Sequence, residues 1–319
     1  MTQQWIRNLI SAALALPLAA GGETGGAETS RQAPALDPFK ADTVGRAQPP
    51  EGYRLVWHDE FNGEGEPDPA KWSPERGFVR NREMQWYRLD NARQSGGRLI
   101  ITGKKESFPN PDYEAGSKDW RKNRKRVAYT SASLTTKGKF SVTYGILEAR
   151  VRFKAVEGLW PAFWTTGISE TWPACGEIDI MEYYKGKFLA NFAWSAGRPR
   201  TAVWRSRTVK VEDCRAKDPR WDDKFHIFKL DWDENRLRIF IDGELVNEMA
   251  TADAVNQRFD KVEHPFRQPH GIIINLALGA NGGSLDKLAF PALYEVDYVR
   301  VYRKIEDELG VGDADGAGH

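Results

Sequence analysis

Three carboxylates crowd one short stretch, GEIDIMEYY (176–184): Glu177, Asp179 and Glu182. The rest of that stretch reads as a buried β-strand. Side chains alternate faces along a strand, so Glu177 and Asp179 point one way while Ile178 and Ile180 point the other. Glu182 would face away in a regular strand. One extra residue near Ile180 or Met181, a β-bulge, would return it to the acidic face. The spacing therefore predicts a bulged strand with all three acids on one exposed face. Retaining glycoside hydrolysis needs such a face: two carboxyls about 5–5.5 Å apart, one attacking the anomeric carbon and one acting as acid and then base. A third acid between them can push the two pKa values apart. Two plainer readings compete, a solvated strand face and an oxygen site for a hard cation such as calcium. Trp160, Trp164 and Trp172, in LWPAFW and TWPACG just upstream, favour a sugar cleft, because flat amphipathic rings stack on sugars.

The elements that must carry these residues are short and alternating. GRLIITGKKE, GILEARVRFKA, KFHIFKLDWDENRLRIFIDGELV, GIIINLALG and YEVDYVRVYRK are separated by turn residues. Asp242-Gly243 lies between two strand-like runs, a strong hairpin signal. Helical periodicity is nearly absent and no repeat is visible. Many strands with frequent turns predict an all-β sandwich or barrel.

The 319 residues carry a formal charge of +1, which argues against general nucleic-acid or membrane-surface binding. Residues 1–22 read as an export signal: Arg7, then an apolar run too short to span a bilayer, then small residues. That predicts a secreted or periplasmic protein. Residues 23–50, rich in Gly, Ala and Pro, read as a flexible linker. Residues 51–304 form the folded domain, and 305–319 read as a disordered acidic, Gly-rich tail. Cys175 and Cys214 are the only cysteines and could form a disulfide in an exported protein or remain free thiols.

Several segments in order make the chain resemble glycoside hydrolase family 16, from about Tyr53 to Arg303. They are LVWHDEFNG, NREMQWY, YTSASLTTKGKF, YGILEARVRF, GLWPAFWTTG, GEIDIMEYY, INLALGANGG and FPALYEVDYVRVY. The resemblance implies a curved two-sheet β-jelly-roll sandwich, concanavalin-like, with a concave substrate cleft. It implies retaining endo-hydrolysis of β-linked polysaccharide, with Glu177 as nucleophile, Glu182 as acid/base and Asp179 as assisting acid. The extra Met181 matches the bulged branch, which holds laminarinase-like β-1,3-glucanases along with agarases, porphyranases and carrageenases. Asn81 matches a glycone-subsite residue, and Trp160 and Trp164 match cleft aromatics, Trp160 as the direct platform. Trp172 and Trp194 are further candidates for sugar contact, with Trp204 and Arg198 beside the latter. No cofactor is required for catalysis, but the family often holds a structural calcium, and Glu60, the Gly97 carbonyl and Asp297 occupy the matching positions.

The expected activity is that of an endo-1,3-β-glucanase of laminarinase type, acting as a monomer on polysaccharide. Departures from the family pattern keep an endo-β-galactanase on agar-like, porphyran-like or lactosaminoglycan chains in view. Ser133 stands where many laminarinase relatives carry an arginine, and Gly282 follows Asn281 where many have a tryptophan. A non-catalytic carbohydrate-binding protein is the rival from another class. The basic run Asp119–Arg126 reads as a solvated loop or as a contact for acidic polysaccharide. Of the histidines, His226 reads as structural, and His264 or His270 as loop residues within possible reach of sugar.

Overall fold

The computed structural model describes residues 48–198, 201–257 and 262–305. The stretch read as an export signal, all but the end of the stretch read as a linker and all but the start of that read as a tail lie outside the described residues. Two sheets face each other. The seven-stranded sheet runs, edge to edge, Ala202–Lys210, Lys187–Ser195, Glu177–Tyr184, Leu159–Gly167, His270–Leu278, Ser133–Thr135 and Ser73–Pro74. The larger sheet is built on Gly145–Phe153 and Ala292–Lys304, with His226–Trp232 and Leu99–Pro109 outside them. The Asp242-Gly243 hairpin joins Arg236–Ile241 to Glu244–Ala250, with both turn residues at positive φ (48° and 85°). That is the backbone a two-residue turn of the primed type demands.

Alternation decides what fills the space between the sheets. Ile178, Ile180, Met181 and Tyr183 point inward from the acidic strand, beside Phe188, Ala190 and Phe192 from its neighbour. Leu147, Ala149, Val151, Val299 and Val301 meet them from the larger sheet. Each of the Val, Leu, Ile, Met and Phe side chains among them contributes about 1.5–3 kcal/mol on burial, so the core that closes the sandwich also pins the face on which the acids stand.

Two expectations from the sequence change. Trp194, expected in the cleft, lies on Lys187–Ser195 out of phase with Leu189 and Asn191, which do line the cleft. It packs inward against Phe266 with ring centres 6.4 Å apart. The calcium set also fails as placed. Both Glu60 oxygens accept from Arg300, at 2.9 and 2.8 Å, and Asp297 accepts from Arg150 at 2.7 Å. Two guanidinium groups already balance the charge a calcium ion would need, and the residues do not fit that ion. Among the described residues no cluster of three His, Cys, Asp or Glu side chains is placed to hold a metal.

The cysteines are both free thiols. Cys175 is buried just before the acidic strand, where burial pushes its pKa up to about 11; Cys214 lies on the short helix Val211–Lys217.

Candidate active site

The acidic strand lies between Leu159–Gly167 and Lys187–Ser195, and both pairings shift register at the expected place. On one side Asp179 pairs with Trp164, Met181 with Phe163 and Glu182 with Ala162. On the other, Asp179 pairs with Asn191 and Glu182 with Leu189. Ile180 is the extra residue, and both it and Met181 point into the core. The bulge leaves Glu177, Asp179 and Glu182 on one face, lining a cleft of about 690 Å³. Gly176 sets the entry to this strand at φ +77°, and a Cβ there would come within 2.8 Å of Pro265. Glycine is therefore required immediately before Glu177.

The three acids are tied to one another and to their neighbours. Asn191 Nδ2 donates to Asp179 Oδ2 at 2.8 Å and to Glu182 Oε2 at 3.2 Å. Trp160 Nε1 donates to Glu182 Oε1 at 2.7 Å. Trp172 favours the ionised form of Glu177, and the charge on Asp179 opposes it. Burial raises all three carboxyls, Asp179 to about 6 and the two glutamates well above their usual range. Like charge on their neighbours lifts the two glutamates further.

Beyond that shared shift the two glutamates differ. Arg80 draws Glu177 toward its ionised form, while Glu83 pushes Glu182 toward its protonated form. A cation beside one acid and an anion beside the other separate their roles.

The aromatic candidates divide. Trp172 is 42% exposed and Trp164 is half-buried, and both line the cleft. Trp160 also reaches it, but it is only 6% exposed, with its ring edge-on to Tyr184 and its N–H on Glu182. It orients a carboxyl rather than offering a face to sugar. Trp164 donates to Asn275 Oδ1 at 2.7 Å, and Asn275 donates to Tyr87 Oη at 3.1 Å. Asn81 lines the cleft at φ 54°. Trp204, 47% exposed, lines it from the edge strand on the other side of the acids.

Arg80, Glu75, Glu83, Tyr184 and Asn191 also line the cleft and were not among the residues expected there. Asn191 can be found by counting: it stands at the cleft phase of the strand after the acids. Glu75 and Arg80 carry no such signal, because they come from a loop.

The basic run has a third role. Arg121 donates to the Val79 carbonyl, and Arg124 to those of Glu83 and Arg82, so the run clamps the loop that carries Arg80 and Asn81. His270 is buried and neutral beneath the sheet, its pKa lowered to about 4 by burial, with ring nitrogens on Thr165 Oγ1 and the Pro265 carbonyl. It does not reach sugar. His226 bonds Asp242 and the Trp221 carbonyl, a structural role.

A concave β-sandwich face bearing paired carboxyls and exposed tryptophans is the site of an enzyme that cuts glycans. The chain belongs to glycosyl hydrolases family 16, whose family model matches residues 83–300. It is 35% identical to a β-glucanase of Rhodothermus marinus, over 80% of this chain and 86% of that protein. It is 30% identical to a keratan-sulfate endo-1,4-β-galactosidase of Sphingobacterium multivorum, over 79% of this chain and 55% of that protein. Among solved structures, one from work on endo-acting O-glycanases of the human gut microbiota that initiate mucin breakdown superposes with a TM-score of 0.73. It is 32% identical and covers 83% of this chain and 96% of that one. The protein is a glycoside hydrolase, and the non-catalytic reading falls.

Proposed function

We propose that the protein is an exported retaining endo-β-glycosidase, with Glu177 as nucleophile, Glu182 as acid/base and Asp179 as assisting acid. The register shift at Ile180, which returns Glu182 to the face of Glu177, carries this reading. Glu182 gives its proton to the glycosidic oxygen as the Glu177 carboxylate forms an ester bond to the anomeric carbon. The Glu182 carboxylate then takes a proton from water, whose oxygen displaces Glu177, so two inversions retain the β configuration.

The proposed substrate is a β-1,3-glucan of laminarin type, in keeping with the β-glucanase relative. A β-galactoside-containing chain such as polylactosamine is the second reading. Two observations favour it: Ser133 is bound to Glu75 where many laminarinase relatives carry an arginine, and the O-glycanase work supplies a close structural likeness. The purified protein, incubated with laminarin, mixed-linkage glucan, agarose, porphyran and polylactosamine, is expected to release oligosaccharides from laminarin. Products from polylactosamine or agarose alone would move the assignment to the second reading. NMR of the first product should show the β anomer; an initial α anomer would rule out the two-step route.

Trp160→Phe tests the role of that indole. The ring stays but the donor to Glu182 is lost, and that donor favours the ionised carboxylate. The Glu182 pKa should rise, moving the alkaline limb of the kcat/KM profile to higher pH with KM little changed. A raised KM and an unmoved limb would mean that Trp160 acts as a stacking platform instead.

A further inference from the structure

Most of the basic run lies in residues 110–125, which join Leu99–Pro109 to Arg126–Ser131 in the larger sheet. Asn110 ties this connection into one piece: its Nδ2 donates to the carbonyls of Arg121 at 3.0 Å and Arg124 at 2.8 Å. From it two guanidinium groups reach across to residues 79–84, where Val79, Arg80, Asn81 and Glu83 line the cleft. Arg121 Nη2 donates to the Val79 carbonyl at 2.8 Å. Arg124 donates from Nη1 to the Glu83 carbonyl at 2.8 Å and from Nη2 to the Arg82 carbonyl at 3.1 Å. These carbonyls bracket Asn81 on both sides.

The loop needs such support. Asn81 and Arg82 both take φ 54°, a left-handed backbone that is unfavourable for an L residue and persists where the surroundings fix it. The support is itself anchored. The Arg124 guanidinium carbon lies 4.5 Å from the ring centre of Phe78 and 5.0 Å from that of Trp120, and that of Arg121 lies 4.9 Å from Trp120. Phe78, Trp86 and Val127 form a small apolar cluster apart from the main core, and Trp120 packs against it. A planar fork stacked on aromatic rings, with its N–H groups on carbonyls, is held in one orientation. The same bonds leave little for an anion, since Arg121 also gives Nη1 to Asp119 at 3.4 Å. At the cleft, the Arg80 guanidinium carbon lies 5.2 Å from the ring centre of Trp164, the strand partner of Asp179 on the side away from Trp204.

We propose that Arg124 and Arg121 are positioning residues for substrate binding. From outside the cleft they hold residues 79–84 in the shape that presents Asn81 to a sugar, at the end of the cleft away from Trp204. The proposal deepens the hydrolase reading and rests on it for where the chain lies.

The test uses Arg124→Lys, which keeps the charge but loses the fork and its stacking. The probes are two ladders of aryl β-glycosides with one to five sugars, one of β-1,3-linked glucose and one of lactosamine units. On members long enough to reach the loop the variant should lose about tenfold in kcat/KM, nearly all of it in KM, and on the shortest member less than about twofold. Affinity measured calorimetrically in the Glu177→Gln background should follow the same length pattern. Hydrogen exchange reads the clamp without substrate: amides of residues 79–84 should exchange at least about tenfold faster in Arg124→Lys, with Glu177–Tyr184 still protected. Lys118→Gln with Lys125→Gln removes charge from the same run without touching these carbonyl bonds, and should leave every readout within about twofold of wild type.

A loss equal at every chain length, an equal loss in the double lysine variant, unchanged loop exchange in Arg124→Lys, or no binding to either ladder would each overturn the proposal. If Arg124→Lys does not fold, Arg121→Lys, which frees only the Val79 carbonyl, takes the same readouts. Binding with the expected length pattern but no cleavage by the wild type would sink the catalytic roles and leave the clamp standing. Normal cleavage with unchanged loop exchange in the variant would do the reverse.

Discussion

Replacing Glu177 by Gln should lower kcat by at least about 10³-fold and at the same time raise the melting temperature. The first effect follows from the loss of the carboxylate that forms the ester bond. The second follows from burial. The folded-state pKa of Glu177 is raised well above its ordinary 4.5, so the folded protein resists ionising a group that the unfolded chain ionises freely. Such a group stabilises fully below about pH 4.5 and progressively less as pH rises through its folded pKa. Gln removes that penalty while keeping the size and shape of the side chain. A tenfold difference in acidity between the folded and unfolded chain corresponds to about 1.4 kcal/mol. Each kcal/mol moves the melting temperature of a domain of this size by roughly 2–4 °C. The gap between variant and wild type should open as pH rises from 4.5 and close at lower pH.

Glu182→Gln should lose about 10²–10⁴-fold on polysaccharide but much less in the first step on an aryl glycoside, whose leaving group needs no proton. Azide distinguishes the two positions. Added to Glu177→Ala it enters the vacated face and gives an α-glycosyl azide; added to Glu182→Ala it opens the enzyme ester and gives the β product. Exchange of those two products would reverse the assigned roles.

The parts of this site that can be read from sequence are those governed by periodicity. Alternation fixes the faces of Glu177, Asp179, Ile178 and Ile180 once the strand is granted, and the five-residue step to Glu182 demands one extra residue. The same counting places Trp194 inward, in phase with Ala190 and Phe192. Its nearness in sequence to the cleft residues is the weaker guide. What escapes comes from contacts between distant segments. Trp160 shows as an aromatic beside acids, but its N–H on Glu182 depends on cross-strand register. Arg80, Glu75 and Ser133 meet because a loop folds over a sheet edge, the last two standing 58 positions apart in the chain. The charge on Glu60 and Asp297 suggests oxygen ligands; their arginine partners, Arg300 and Arg150, lie far along the chain. The basic run is legible as charge, but its carbonyl acceptors around Val79 and Glu83 are not.

Two single-residue deletions in the acidic strand should have opposite outcomes. Without Ile180, every pairing on both sides runs without interruption: Asp179 with Trp164 and Asn191, Met181 with Phe163, and Glu182 with Ala162 and Leu189. Strict alternation then keeps Glu177, Asp179 and Glu182 on the cleft face with Met181 inward. The strand loses its bulge and the core loses one buried isoleucine, a cost of about 2–5 kcal/mol on the scale of a large-to-small core change. This variant should fold and retain measurable turnover.

Without Ile178, the chain loses the same side chain from the same core, but Glu177 and Asp179 become adjacent and must take opposite faces. If Asp179 and Glu182 hold the cleft, Glu177 turns into the apolar layer, and turnover should fall by at least about 10³-fold with a larger loss of stability from the buried acid. Circular dichroism, melting curves and hydrolysis of the best polysaccharide compare the pair directly. Turnover in the Ile178 deletion equal to that in the Ile180 deletion would show that the shared face of the acids is not what the reaction depends on.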